Sequence, residues 1–525
     1  MLDDVIRDEP VSATFLGVHA YDGEFPDMSE SGFAERRRRL ASHLDTLQSY
    51  DPATLHPDER IDWNVMLAGF AVEAREHDQL QTFARSPSLY SDAAAGGIYG
   101  LFVRDFAPLA ERLASVQLRL EKIPALLRAG RSNLSRPPAL WLDNAADECA
   151  GAIDFLRDTV GPHASSRPQL RRALDAATEA LLEYAGHLKC QRRAGDGAPF
   201  AVGSAFFDFK LKHGHLLPYD CETLLAFGES AVRSTQASLD ETARAIDSGK
   251  PWPELIEIFR EDHPAPPTLL EEYRRGLDAA KRFVLERNLM TIPAAERLRI
   301  VETPPFMRPT LPYAAYQAPG AFDEQQEGIY YVTPVDSEAP DAIRADQLRG
   351  HNRFGMLLTS VHEGYPGHHL QLVCANRHPS IVRRVFGQST VFSEGWALYC
   401  EQLVLDEGLS DDPRMRLFQL KDQLWRACRV VVDVKLHALG MTFDEAVDYL
   451  VEVARLERSN AAGEVRRYTL SPTQPMSYLV GKQQILELRE RERTRLGAAF
   501  DLRAFHDRLL SFGTIPVSLI EANLV

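Results

Sequence analysis

Apolar residues recur at three-and-four spacing among charged ones over 33–50, 58–76, 106–130, 145–159, 168–188 and 218–248. This period lines up one buried stripe on a 3.6-residue helix and predicts amphipathic helices there. Segments 252–263 and 266–288 continue the pattern. It returns over 348–375, 393–407, 413–439, 442–456, 461–469, 476–496 and 502–512. Between the two sets, Pro293, Pro304, Pro305, Pro309, Pro312, Pro319 and Pro334 punctuate a loop-rich stretch. Its one aromatic, alternating run, 328–334, predicts a strand in a small sheet. No fixed-period repeat emerges, which disfavours a solenoid. The expected architecture is mainly α, a single domain over 1–525. Two helical lobes, approximately 1–290 and 291–525, would flank a deep central cleft with a small β-sheet beside it.

Composition narrows the class. A chain of 525 residues, 45% hydrophobic and 26% charged, has material for a large core and the balance of a globular protein. A formal charge of −16 argues against a nucleic-acid partner, whose footprint is a basic patch. Basic clusters such as 35–39 read as solvated helix faces. Residues 1–30 carry Asp3, Asp4, Arg7, Asp8 and Glu9 and no apolar core of signal-peptide length, and no apolar run reaches about 18 residues. The expectation is therefore a cytoplasmic protein with no membrane partner. Six scattered cysteines without C-x-x-C spacing read as reduced core thiols, Cys374 and Cys400 included.

The chemistry concentrates in His362-Glu363-Gly364-Tyr365-Pro366-Gly367-His368-His369-Leu370-Gln371, followed by Ser393-Glu394-Gly395-Trp396-Ala397-Leu398-Tyr399-Cys400-Glu401. In H-E-x-x-H, one helical turn aims two imidazoles at one zinc while the Glu faces the attacking water. Here Pro366 occupies the fourth position after His362. On an unbroken helix, His362 and His369 would stand roughly 10 Å apart along the axis, too far for one ion. Pro366 removes a backbone donor and Gly367 tolerates unusual angles, so a bulge is expected. As a two-residue insertion it puts His368 in the second-ligand position. His369 needs a three-residue bulge and is the alternative. Glu394, 26 residues after His368, lies far enough on for a returning helix to present a third ligand. Two His and one Glu leave the open position of a catalytic site. Glu401, two turns beyond Glu394, suits a carboxylate that accepts the free N–H of a ligating His. Arg308, His351 and Asn352 flank the strand and the motif and are lesser cleft candidates.

The segments HEGYPGHHLQ and SEGWALYCEQL resemble the signature of the bacterial domain-of-unknown-function 885 family. The resemblance extends through 203–208, 303–306, 319–322 and 330–332 to 467–468 and 474–481. That family is in turn similar to the helical zinc peptidases of the thimet oligopeptidase, angiotensin-converting enzyme and carboxypeptidase Taq groups, which lack the Pro-Gly insertion. The resemblance implies one Zn2+ per chain on His362, His368 and Glu394, with Glu363 as general base. It implies Tyr478 as donor to the oxyanion, with Arg467 and Tyr468 as neighbours for a substrate carbonyl or carboxylate. It further implies that the strand carrying Tyr330 and Tyr331 offers a sheet edge to extended peptide. The expected activity is hydrolysis of short peptides of carboxypeptidase or oligopeptidase type. A zinc hydrolase of a non-peptide amide or ester, and a non-catalytic helical binding protein, remain alternatives.

Overall fold

The computed structural model describes residues 1–524 other than 194, 196, 305, 306, 309, 310 and 312. Pro305 and Phe306 of the 303–306 motif, and Pro309 and Pro312 of the proline-rich stretch, lie outside the described residues. The chain is mainly helical, as the periodicity predicts. The elements that position the motif are α1 (Cys221–Ile246), α2 (Leu269–Glu286), α3 (Arg353–Glu363), α4 (His368–Asn376), α5 (Thr390–Asp406), α6 (Pro413–Ala438), α7 (Arg458–Leu470) and α8 (Ser477–Leu496). With them go the strands β1 (Arg297–Glu302), β2 (Ala314–Gln317) and β3 (Glu327–Val332).

Caps set several of these boundaries. Asn352 Oδ1 accepts from Gly355 N at 2.8 Å and opens α3, Ser389 Oγ does the same for Phe392 N ahead of α5, and Asp412 Oδ1 takes Arg414 N at the head of α6. The single helix expected over 348–375 is three, one ending at Gly350 and then α3 and α4. Helical periodicity persists across both breaks, but Asn352 satisfies backbone donors from outside the helix and Pro366 cannot supply one.

The sheet corrects a prediction. Its order is β1-β3-β2, with β3 parallel to β1 (Ile300 opposite Tyr330) and antiparallel to β2 (Tyr316 opposite Tyr330). The strand at 328–334 is therefore central, its backbone groups paired on both sides, and it has no edge to offer a peptide. β1 and β2 escaped the sequence reading because neither alternates cleanly between buried and exposed residues.

Two apolar cores organise the helices. One gathers residues from Met28 to Leu188. The larger runs from Phe207 to Ile520, with Ile61 and Val65 added from the first helices. These two large clusters meet near residue 200 in the chain, and α1 packs on α6 and α2 on α3 within the larger. Alternation along β3 splits its side chains: Tyr330 and Val332 enter the larger core, while Ile329 and Tyr331 turn to Val103 and Phe15 on the other side.

Neutral histidines lie inside the larger core. His506 donates Nδ1–H to the Leu289 carbonyl and accepts from the Tyr399 hydroxyl through Nε2, both at 2.8 Å. Burial, reinforced by Arg489, pushes it down to about 4. An unfolded chain takes up this proton near pH 6.5, whereas the folded one refuses it until about pH 4. The advantage of the wild type over His506→Gln is therefore full above pH 6.5. It shrinks by about 1.4 kcal/mol per unit as pH falls toward 4. Denaturant titrations of both chains between pH 7.5 and 4.5 check this, and a gap that stays constant with pH would refute it.

Candidate metal centre

α3 stops at Glu363 because the next four residues forbid continuation. Pro366 has no N–H, and Gly364 and Gly367 take ψ values of −98° and −133°. The turn folds back on the helix it leaves: Gly364 N donates to Ser360 O and Gly367 N to Val361 O, both at 3.0 Å. A Cβ on Gly367 would lie 1.9 Å from the His362 carbonyl oxygen, so only glycine permits this approach. Trp396, from the second motif on α5, clamps the turn by donating its indole N–H to the Pro366 carbonyl at 2.8 Å.

The result is that His368, first residue of α4, stands beside His362, ring centroids 4.8 Å apart and planes at 88°. Glu394 on α5 completes the group. Its Oε2 is 3.3 Å from His368 Nε2 and 3.8 Å from His362 Nε2, and the three potential ligand atoms all lie within 4.8 Å of one another. Tetrahedral zinc, about 2.1 Å from each ligand, would set them about 3.4 Å apart, so the donor set and spacing fit such an ion. The buried Glu394 Oε2 makes no hydrogen bond, as suits an atom reserved for a cation.

Glu401, two turns along α5, accepts from His362 Nδ1–H at 2.8 Å, so Nε2 is the ring nitrogen that faces the cluster. Burial opposes charge on His362, but Glu394 and Glu401 outweigh it and raise the imidazole to about 10. Burial likewise works against Glu394, yet His368 and His362 hold its carboxyl well below the usual range. Glu363 is raised, by burial first, with the two histidines pulling the other way.

His369 goes elsewhere. It is fully buried, with Nε2 2.5 Å from Glu296 Oε2 and Nδ1 3.0 Å from the Tyr316 hydroxyl on β2. Lys281 and Tyr365 bind the same Glu296 carboxylate. The backbone turn therefore places His368, and not His369, beside His362 and Glu394. Tyr478, one residue into α8, reaches the cluster, its ring 6.3 Å from that of His362 and tilted by 17°.

Arg467 and Tyr468 sit one step further out. Arg467 holds Glu464 and Gln474, and the Tyr468 hydroxyl accepts from Arg429 Nε at 2.8 Å. Neither side chain touches the three ligand candidates. Tyr330 packs against Tyr273 on the motif side of the sheet, while the Tyr331 hydroxyl bonds Tyr99 on the opposite side. The lesser candidates have structural employment: Asn352 caps α3, His351 Nδ1 meets the Tyr273 hydroxyl at 3.0 Å, and Arg308 donates to the Thr303 carbonyl. Cys400 is buried and Cys374 half-buried, and neither belongs to the cluster.

Sequence reasoning missed Glu296, Arg429 and the glycine pair Gly395 and Gly481. Nothing local marks Glu296 or Arg429 among 134 acidic and basic side chains (75 Asp and Glu, 59 Lys and Arg). The glycines did carry a signal, since each interrupts a helical pattern where a close backbone approach is the usual reason. A Cβ on Gly395 would meet Gly481 Cα at 2.4 Å.

Fold and site together define a mainly helical protein with a three-stranded mixed sheet and a two-histidine, one-glutamate cluster in which His362 is buried and His368 and Glu394 are half-buried. The chain belongs to the family described as bacterial protein of unknown function (DUF885), whose model matches residues 10–524. Among solved structures it is similar to a "putative lipoprotein of unknown function" from Shewanella oneidensis, at 27% identity and a TM-score of 0.83, over 100% of this chain and 98% of that one. It is also similar to a "putative lipoprotein" from Colwellia psychrerythraea, at 18% identity and a TM-score of 0.81, over 99% and 96%. No curated protein matches the chain. The lipoprotein descriptions of these neighbours run against the cytoplasmic expectation, which is withdrawn. The reason is that a charged, acidic exterior suits any aqueous side of a membrane, so composition does not report the compartment. Among the described residues, no helix is long and apolar enough to cross a membrane.

Proposed function

We propose that the chain is a zinc-dependent hydrolase of short peptides, with one Zn2+ held by His362, His368 and Glu394. The observation that carries this reading is the convergence of the three ligand atoms within 4.8 Å, with Glu363 adjacent in sequence and Glu401 fixing the His362 tautomer. The resemblance of the two motifs to those of the helical zinc peptidases supports it. A bound zinc supplies a polarised water and a Lewis acid for the scissile carbonyl. The protein does the rest. Glu363 takes the proton of the attacking water and hands it to the leaving amine, a transfer between two positions that one carboxylate can reach. Tyr478 donates its hydroxyl to the carbonyl oxygen as charge develops there. Glu401 and its neighbour Arg426, 4.0 Å away, hold His362 in its working tautomer. The substrate lies in a cleft between the two helical halves. The free edge that receives extended peptide is β2, which packs beside α3, in place of the central β3.

The test is Glu363→Gln, which keeps shape and removes the base. It retains its metal by elemental mass spectrometry and loses about 10²- to 10⁴-fold in turnover of a short-peptide panel. Near-normal turnover by metal-loaded Glu363→Gln would take the base role away from Glu363. A metal-loaded wild type that cleaves small amides or esters but no peptide would replace the substrate class.

A further inference from the structure

Behind Tyr478, two guanidinium groups share a single carboxylate. Arg429 on α6 is 3% exposed. Its Nε donates to the Tyr468 hydroxyl at 2.8 Å and its Nη2 to Glu464 Oε2 at 3.1 Å. Its Nη1 is buried and has no hydrogen-bond partner. Arg467 leans on the same oxygen, Glu464 Oε2, at 2.8 Å. One carboxylate therefore serves two guanidinium groups. Trp425 and Tyr478 flank Arg429 with ring centroids 4.1 and 4.6 Å from its central carbon, and an aromatic face tempers a cation without satisfying its N–H groups. Leaving a charged donor buried and unpaired costs enough that such groups call for a partner. An anion would satisfy this donor.

Its place says which anion. Tyr478 lies against His362 and against Arg429, so one aromatic ring separates the guanidinium from the proposed zinc ligands. An extended residue spans about 3.5 Å. An anchor at this remove therefore corresponds to one or two residues beyond the scissile bond. Arg426, one turn earlier on α6, faces two carboxylates, Asp422 and Glu401, although its Nε also lacks a hydrogen-bond partner.

We propose that Arg429 binds the free α-carboxylate of the substrate, so that the chain acts on peptides near their carboxyl terminus and discriminates against carboxyl-terminal amides. This rests on the peptidase reading above and displaces Arg467 and Tyr468 from the carboxylate-binding role. Arg467 instead shares the counter-charge, and Tyr468 orients the Arg429 fork.

The experiment compares three probes, Gly-Ala-Ala, its carboxyl-terminal amide, and Gly-Ala-Glu amide, whose only carboxylate is on a side chain. Binding is measured by calorimetry on zinc-loaded Glu363→Gln, and cleavage of the same probes is followed on the wild type. The free acid is expected to bind about 10- to 100-fold more tightly than either amide, the size of one charge-assisted contact. Arg429→Gln in the same background should erase that ratio, and Arg429→Lys should restore part of it. If Gly-Ala-Glu amide binds like the acid, the pocket takes a side-chain carboxylate and the terminal assignment is overturned. Equal binding of acid and amide, or no binding of the acid, also overturns it, and neither needs a folded Arg429 variant. Cleavage of acid and amide alike would sink the carboxylate site and leave the peptidase reading standing. Acid-selective binding without cleavage would do the reverse.

Discussion

Alanine at His362, His368 or Glu394 should abolish metal retention, and hydrolysis with it, whereas His369→Ala should keep the metal. Each of the three supplies an atom to a cluster spanning at most 4.8 Å, and Glu394 Oε2 has no other partner to hold it. Removing one of the three proposed ligands would take away a bond that no neighbour can replace, since Glu401 is committed to His362 Nδ1 and His369 to Glu296. The expected content by elemental mass spectrometry after exhaustive dialysis is about one zinc in the wild type and near none in the three variants. Activity should fall by at least about 10³-fold, the scale of several kcal/mol lost from the transition state. His369→Ala carries a different penalty. It removes one of three partners of buried Glu296, which keeps Lys281 and Tyr365, and should lower stability by about 1–3 kcal/mol while the metal stays. Metal lost in His369→Ala and kept in His368→Ala would reverse the assignment.

The second large effect concerns no ligand at all. Gly481→Ala should unfold the site, because its Cβ would stand 1.7 Å from the Val391 carbonyl oxygen and 2.8 Å from Gly395 Cα. Backbone cannot move aside as a flexible side chain can, so α5 and α8 must separate, and closely packed interiors resist that. The cost is expected to exceed about 3 kcal/mol, the upper end of ordinary overpacking. Glu394 precedes Gly395 and Tyr478 lies one turn before Gly481, so separating these helices displaces a ligand candidate and the proposed oxyanion donor together. Thermal unfolding should show a clear drop in midpoint, and metal affinity should fall although every ligand remains. Gly463→Ala on α7 is the control, since its Cβ would meet nothing within 4 Å and Ala favours a helix by about 1 kcal/mol. A Gly481→Ala chain as stable as the wild type would show that the two helices can part cheaply.

Much of the site was legible because its signals are local. His362, Glu363 and Pro366 share one short stretch, and Glu394 and Glu401 share one helix face. The helices followed the same logic, with 413–439 observed as Pro413–Ala438 and 476–496 as Ser477–Leu496. The break at Gly364–Gly367 was readable as an irregularity, but not as a clean division into two helices. That depends on the Val361 carbonyl receiving Gly367 N and on Trp396 clamping Pro366 from another helix.

What the sequence by itself determined is therefore whatever one segment's periodicity and chemistry can dictate: a mainly helical body, a ligand motif interrupted by Pro-Gly, and a carboxylate pair two turns apart on α5. Only the tertiary structure decided which histidine joins Glu394, that β3 is a central strand, and that Arg429 stands one ring from the ligand candidates. Each of those depends on groups far apart in the chain. Glu296 captures His369 across 73 positions, β1 and β2 close both sides of β3, and α8 brings Tyr478 to His362 by way of two glycines. The physical reason is that hydrogen bonds and steric fit act at contact distance, and it is the packing of helices and sheet, not their local propensity, that chooses which distant groups meet.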